Sequence, residues 1–195
     1  MRHRCLFVLI SAVLLFILAM GGYAGYVNRS AASVIQAAGQ IRTTADAEKQ
    51  IVLWRQARGF SESRSPDGSG HAYQIRVGNG LLAALRITPK TEVLLEVTRR
   101  SGELQLLVLG MYTDRSSVWV QEDFASRESD SLSVSSQPNG VRYPLKTVIM
   151  FSSGLDEPKR SSAFALKASC LVKLGGCVNA EEMLPSLRQL GSANQ

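Results

Sequence analysis

Hydrophobic positions along this chain fall into three regimes. Between Cys5 and Asn28 no residue is charged, and Leu6-Phe-Val-Leu-Ile10 and Leu14-Leu-Phe-Ile-Leu18 make the run almost wholly apolar. About 20 helical residues cross the roughly 30 Å hydrocarbon core of a bilayer, so the run predicts a membrane-crossing helix. From Tyr73 onward apolar and polar residues alternate, the signature of half-buried strands. Near the C-terminus the spacing returns to helical, with Phe164, Ala168, Leu171 and Leu174 on one face.

The flanks of the first run orient it. Arg2 and Arg4 precede it and only Arg29 follows closely, so the positive-inside rule puts the N-terminus in the cytoplasm and the rest of the chain outside. Tyr23 and Tyr26 suit an interfacial aromatic belt. A cleaved signal peptide is the alternative, because Leu6–Met20 has the size of a signal core and Gly22-Tyr-Ala24 offers small residues for cleavage. Both readings export the remainder of the chain. Cys5 opens the apolar run instead of coming after it, which disfavours a lipoprotein.

Alanines from Ala31 to Ala38 extend the first helix outward to Gly39 by propensity. Thr43 and Thr44 are candidate N-caps of a second helix with Asp46 and Glu48 in its first turn, Arg55 and Arg58 in its last, and Gly59 as its stop. Ile51, Val52 and Trp54 would supply its apolar contact. Ser61–Gly70 reads as a polar loop. These patterns divide the chain into a transmembrane segment, 1–28, a helical juxtamembrane segment, 29–60, and an extracytoplasmic domain, 61–195.

Tyr73, Ile75 and Val77 lead into Asn79-Gly80, a strong hairpin signal, with 81–88 as the return strand. Val93, Leu95 and Val97, then Leu104, Leu106 and Val108, alternate around the turn Arg100-Ser101-Gly102. Thr113–Ser116 turns the chain into Ser117–Gln121, and Pro138-Asn139-Gly140 joins Leu132–Ser135 to a strand ending near Phe151. Pro144 in that strand points to an edge or a bulge. Such short turns connect antiparallel neighbours, predicting an antiparallel meander of five to seven strands. Its cover would be a C-terminal helix opened by Asp156 and Pro158 and closed by Gly175-Gly176, with a short helix after it from Asn179 that Pro185 interrupts. The fold class is α+β.

Composition adds little chemistry. Of 22 basic and 16 acidic residues, Arg2 and Arg4 lie before the apolar run, leaving 20 against 16, a charge of +4, on the exported part. No basic stripe is interleaved with aromatics, so nucleic acid is not expected as a partner. Arg55, Arg58, Arg64, Arg99, Arg100, Lys159 and Arg160 read as ordinary solvated residues, with contact to anionic headgroups as the sharper alternative. Cys170 and Cys177 straddle Gly175-Gly176, which lets the chain double back, and in an oxidising compartment they are expected to form a structural disulfide. His71 is the only histidine of the exported part, and two thiols alone make half a zinc site, so no metal or cofactor is expected.

No catalytic residues are assigned. His71 with Ser69 and Asp67 crowds a would-be triad into one loop, and Glu122-Asp123 with Glu128 and Asp130 reads as the solvated flanks of a Ser-rich loop, Ser126 to Ser133. No phosphate-cradling glycine loop is present. The order of apolar helix, helical spine, antiparallel meander and C-terminal cysteine pair looks like a type IV pilin. The chain departs from that family in lacking a glycine–aromatic processing site and any acid before Asp46.

Two segments, Ala72–Thr91 and Ala163–Cys177 continuing to Leu184-Pro185, resemble a group of uncharacterised anchored proteins from acidobacterial genomes. Members often carry a further cysteine pair where this chain has Ser65, Gly68 and Gly70. The resemblance implies a bacterial, exported, membrane-anchored protein and brings no activity with it. Taken together, the expectation is a single-pass inner-membrane protein held in the bilayer by its N-terminal helix, with an envelope-facing domain that binds or scaffolds another envelope protein. An exported hydrolase and a pilin-like subunit are the alternatives.

Overall fold

The computed structural model describes residues 2–64, 69–125, 131–139 and 143–192. Helix α1, Arg2–Gln40, runs unbroken through the apolar segment and the alanine-rich stretch beyond it. Its two halves meet different surroundings: Leu6 to Ala19 is exposed at every position, whereas Val27, Ala31, Val34, Ala38 and Ile41 just past its end are core residues. The alanines therefore do more than favour helix. Their small side chains let the axis of α1 approach the sheet closely.

Helix α2, Thr44–Trp54, starts at a capping box in which the Thr43 hydroxyl accepts from the Asp46 amide and the Asp46 carboxylate accepts from the Thr43 amide. It ends one residue before Arg55, so the two arginines expected in its last turn lie beyond it, and Val52 is exposed while Ile51 and Trp54 are buried.

Seven strands come next: β1 Phe60–Arg64, β2 Gly70–Gly78, β3 Thr91–Arg100, β4 Glu103–Thr113, β5 Ser117–Asp123, β6 Leu132–Asn139 and β7 Tyr143–Ser152. They form one sheet in the order β1-β2-β3-β4-β5-β7-β6. All neighbours are antiparallel except β5 and β7, which are parallel because the β6–β7 hairpin returns with β7 inward. That pair corrects the purely antiparallel expectation. β1 corrects the loop expected over Ser61–Gly70: as an edge strand it carries polar residues on both faces, so no apolar alternation marks it.

Two further strand expectations shift for local reasons. After Asn79 the chain turns into a short helix, α3 Gly80–Ala84, and the return strand begins only at Thr91. In β4 the register slips opposite Thr98/Arg99, so Leu104, Leu107, Leu109 and Met111 face the core and Leu106 and Val108 face the other side. One extra residue reverses the phase of every position after it. Arg100-Ser101-Gly102 does turn the chain, with positive φ at Ser101 and Gly102 as a type I′ hairpin requires. Near Pro144 the β6–β7 register slips between Gln137 and Asn139, so the proline sits at a bulge in an interior strand. Gly140, on the expected turn, lies outside the described residues.

The core face of the sheet is covered by two parts of the chain. The second half of α1 lies against β2, β3 and β4, and the C-terminal elements lie against β5 and β6. Those elements are shorter than expected. α4, Glu157–Ala163, is capped by Asp156 and stops at Phe164; a 3₁₀ turn, Ala168–Leu171, comes after it, then α5 Ala180–Met183 and α6 Leu187–Ser192. Phe164 and Leu171 are buried, but Leu174 is 76% exposed, so the four residues do not share a helical face.

Candidate functional site

The most deeply buried charges sit where the end of α1, the end of β5 and α4 meet. Arg160 lies on the same face of α4 as Ala163 and Phe164, three and four residues on, and is 0% exposed. Its Nε donates to Glu122 Oε1 at 2.8 Å and its Nη2 to Glu122 Oε2 at 2.7 Å, a two-pronged pair. The remaining donors reach the C-terminus of α1: Nη1 to the Gly39 carbonyl at 2.7 Å and Nη2 to the Ile41 carbonyl at 2.6 Å. A cation there complements the negative end of the helix and satisfies carbonyls that lack intrahelical donors. Phe164 stacks beneath, 4.9 Å from ring centroid to guanidinium carbon.

This clamp corrects two sequence readings. Glu122 belongs to a strand and is 1% exposed, not part of a solvated loop, and Arg160 is not a solvated surface cation. The signal lay in the spacing of Arg160, Ala163 and Phe164, which places an arginine on an apolar helix face. Arg42 pairs with Glu157 just outside the clamp. Burial and then repulsion from Arg160 hold its guanidinium below the ordinary arginine value, with Glu122 pulling the other way.

Asn79 is the second buried polar centre. Its amide nitrogen donates to Thr88 Oγ1, the Pro89 carbonyl and the Leu171 carbonyl at 2.8–2.9 Å, and its Oδ1 accepts from the Thr91 amide at 2.9 Å. One side chain thus joins the end of β2, the start of β3 and the 3₁₀ turn. Beside that turn Cys170 and Cys177 are bonded, with S–S 2.07 Å and Cα atoms 5.3 Å apart. Gly175 and Gly176, both at positive φ, make the reversal between them.

Among the described residues the opposite face of the sheet carries none of the helices packed on the core face, and it is not uniformly polar. Leu94, Val108, Val148 and Met150 alternate onto it from β3, β4 and β7. At its centre Trp119 lies over Gly110, where a Cβ would come within 2.6 Å of the indole, and stacks on Tyr112 with centroids 6.2 Å apart. Lys146 Nζ stands 5.6 Å from the indole centroid. The Tyr112 hydroxyl donates to Glu92, and Lys90 lies 3.1 Å from the same carboxylate. Burial pushes the Glu92 carboxyl up, but those partners together bring it below its ordinary value.

The remaining candidates do not assemble. His71 Nδ1 lies 3.2 Å from Glu62 Oε1 on the neighbouring strand and stacks on Tyr73, while Asp67, Ser126, Glu128, Ser129 and Asp130 lie outside the described residues. Among the described residues no three His, Cys, Asp or Glu side chains are grouped to hold a metal ion. A cleft of about 560 Å³ opens between α1, the turn after α2 and β2. No protein-family model, curated protein or solved structure matches the chain. The class the fold defines is an α+β domain built onto an N-terminal helix long and apolar enough to cross a membrane.

Proposed function

We propose that this is a single-pass protein of the bacterial inner membrane, anchored by α1 with its N-terminus in the cytoplasm, whose exported domain binds or scaffolds another protein of the cell envelope. The partly apolar open sheet face, centred on Trp119, carries the binding part of the reading. Helix packing already covers the other face, and soluble domains seldom leave such a face without a use. The anchored part is supported by the helix itself: Tyr23 and Ala24, at the candidate cleavage point, are half-buried inside one continuous helix. A disulfide suits an oxidising compartment outside the cytoplasm.

The division of α1 into an exposed half and a half packed on a sheet also favours a second reading, a pilin-like assembly subunit. One experiment separates the two. A photo-crosslinking amino acid replaces Val108 on the open face in cells producing the full chain, with Ser63 on the polar edge strand as control. The binding reading expects an adduct to a different envelope protein from position 108 only. Adducts confined to further copies of this chain support the pilin-like subunit, and equal yields at both positions contradict binding by this face.

A further inference from the structure

The cleft beside α1 lies where the helix leaves its exposed apolar stretch. At 1.5 Å per residue the segment from Leu6 to Tyr26 is about 31 Å long, so a hydrocarbon core of roughly 30 Å entered at Leu6 ends level with Tyr23 and Tyr26. Those two tyrosines and Val27 line the cleft from α1 at that level, and Ser30 and Ser33 line it one and two turns farther out. Across from them stand Trp54 and the turn carrying Arg58. The apolar end of the lining is therefore continuous with the surface that faces lipid, and the polar end lies beyond the hydrocarbon.

Charge in the cleft is one-sided. Arg58 is the charged side chain of its lining, and no acid is among the lining residues. Arg76 reaches the cleft at the edge of β2, but its side chain alternates with the core-facing Ile75 and Val77 and lies on the opposite face of the sheet, towards Glu92. Arg58 has no ion-pair partner among the described residues. β1 begins at Phe60, opposite Ile75, and the preceding Gly59 carbonyl accepts the Arg76 amide; beyond that bond the edge of β2 at Gly78 is open to the cleft. The volume, about 560 Å³, falls in the range of small-ligand sites.

We propose that this cleft holds the phosphodiester headgroup of an anionic phospholipid from the leaflet through which α1 leaves the bilayer. The proposal rests on the anchored reading of α1. The Arg58 fork matches phosphate oxygens, the serine side supplies further polar contact, and Tyr23, Tyr26 and Val27 pack against the glycerol and the first methylenes of the chains. A free phosphate shares the anionic chemistry but would leave the apolar lining unused, which favours the lipid.

The test uses the full chain in vesicles of equal phosphatidylglycerol and phosphatidylcholine, with spin-labelled forms of each lipid reporting the fraction immobilised by the protein. Phosphatidylglycerol is expected to be preferred. Arg58→Gln lowers that preference about fivefold, the equivalent of about 1 kcal/mol for one basic residue, whereas Arg76→Gln, on the opposite face of the sheet, leaves it unchanged. Ser30→Trp, which fills the cleft and leaves its charge, also lowers it, and Lys159→Gln on α4 leaves it unchanged. Equal immobilisation of the two lipids, or a preference that survives Arg58→Gln, overturns the proposal. Loss of the preference on adding soluble glycerol phosphate assigns the site to free phosphate and overturns the lipid source. Flotation of the same vesicles keeps the two readings apart: protein that fails to float contradicts the anchor, whereas protein that floats without lipid preference contradicts the cleft alone.

Discussion

Arg160 shows how one residue can decide what a long helix does. Its guanidinium joins the last carbonyls of α1 to the end of β5, so the helix and the sheet end are held in one hydrogen-bonded unit. Two charges taken out of water repay that cost only through close mutual geometry, and removing one partner strands the other. Arg160→Met is therefore expected to destabilise the fold by about 3–5 kcal/mol. Adding Glu122→Leu recovers part of the loss but not all, because the Gly39 and Ile41 carbonyls stay without their donor, at about 1–3 kcal/mol. Denaturant unfolding of the detergent-solubilised chain, monitored by loss of strand signal, measures both; a single variant as stable as the parent contradicts the clamp. Little of this is legible in the sequence. Arg160 sits beside Lys159 in a polar-looking helix start, and Glu122 beside Asp123 and a serine-rich stretch, so pairing across 38 positions leaves no local trace. Asn79 misleads for a similar reason: its turn-forming chemistry is local, but what fixes its conformation is a carbonyl 92 positions away.

At the scale of elements, strands with strict alternation are readable and everything governed by an irregularity is not. Tyr73, Ile75 and Val77 and then Val93, Leu95 and Val97 face the core as their spacing implies. β4 departs after its bulge, and β1 is silent because an edge strand has no apolar face to display. The C-terminal cover fails as a single helix because Phe164 to Leu174 owes its helical spacing to a 3₁₀ turn and a disulfide-closed reversal. That disulfide closes a short loop, so its effect on the unfolded chain is modest, about 2.5 kcal/mol by the loop-entropy relation. Reduction, or Cys170→Ala with Cys177→Ala, is expected to lower stability by that order. It should also loosen the turn whose Leu171 carbonyl accepts from Asn79. Amide exchange comparing oxidised and reduced protein checks this; unchanged protection across residues 168–184 would contradict it.

Over the whole molecule, α1 is both the apolar segment and a principal core element of the folded domain. The sequence shows the first role at once and hides the second, since alanines chosen for close helix–sheet approach look the same as alanines chosen for helix propensity. No short linker separates the two halves, so a bilayer holding the first half would also set the height and tilt of the sheet above it. The most direct test of the anchored account is carbonate extraction of cells producing the protein, with intact mass measured in both fractions. The account predicts the full 21.2 kDa chain in the membrane pellet. A shorter chain beginning near Gly25, recovered in the soluble fraction, would contradict it.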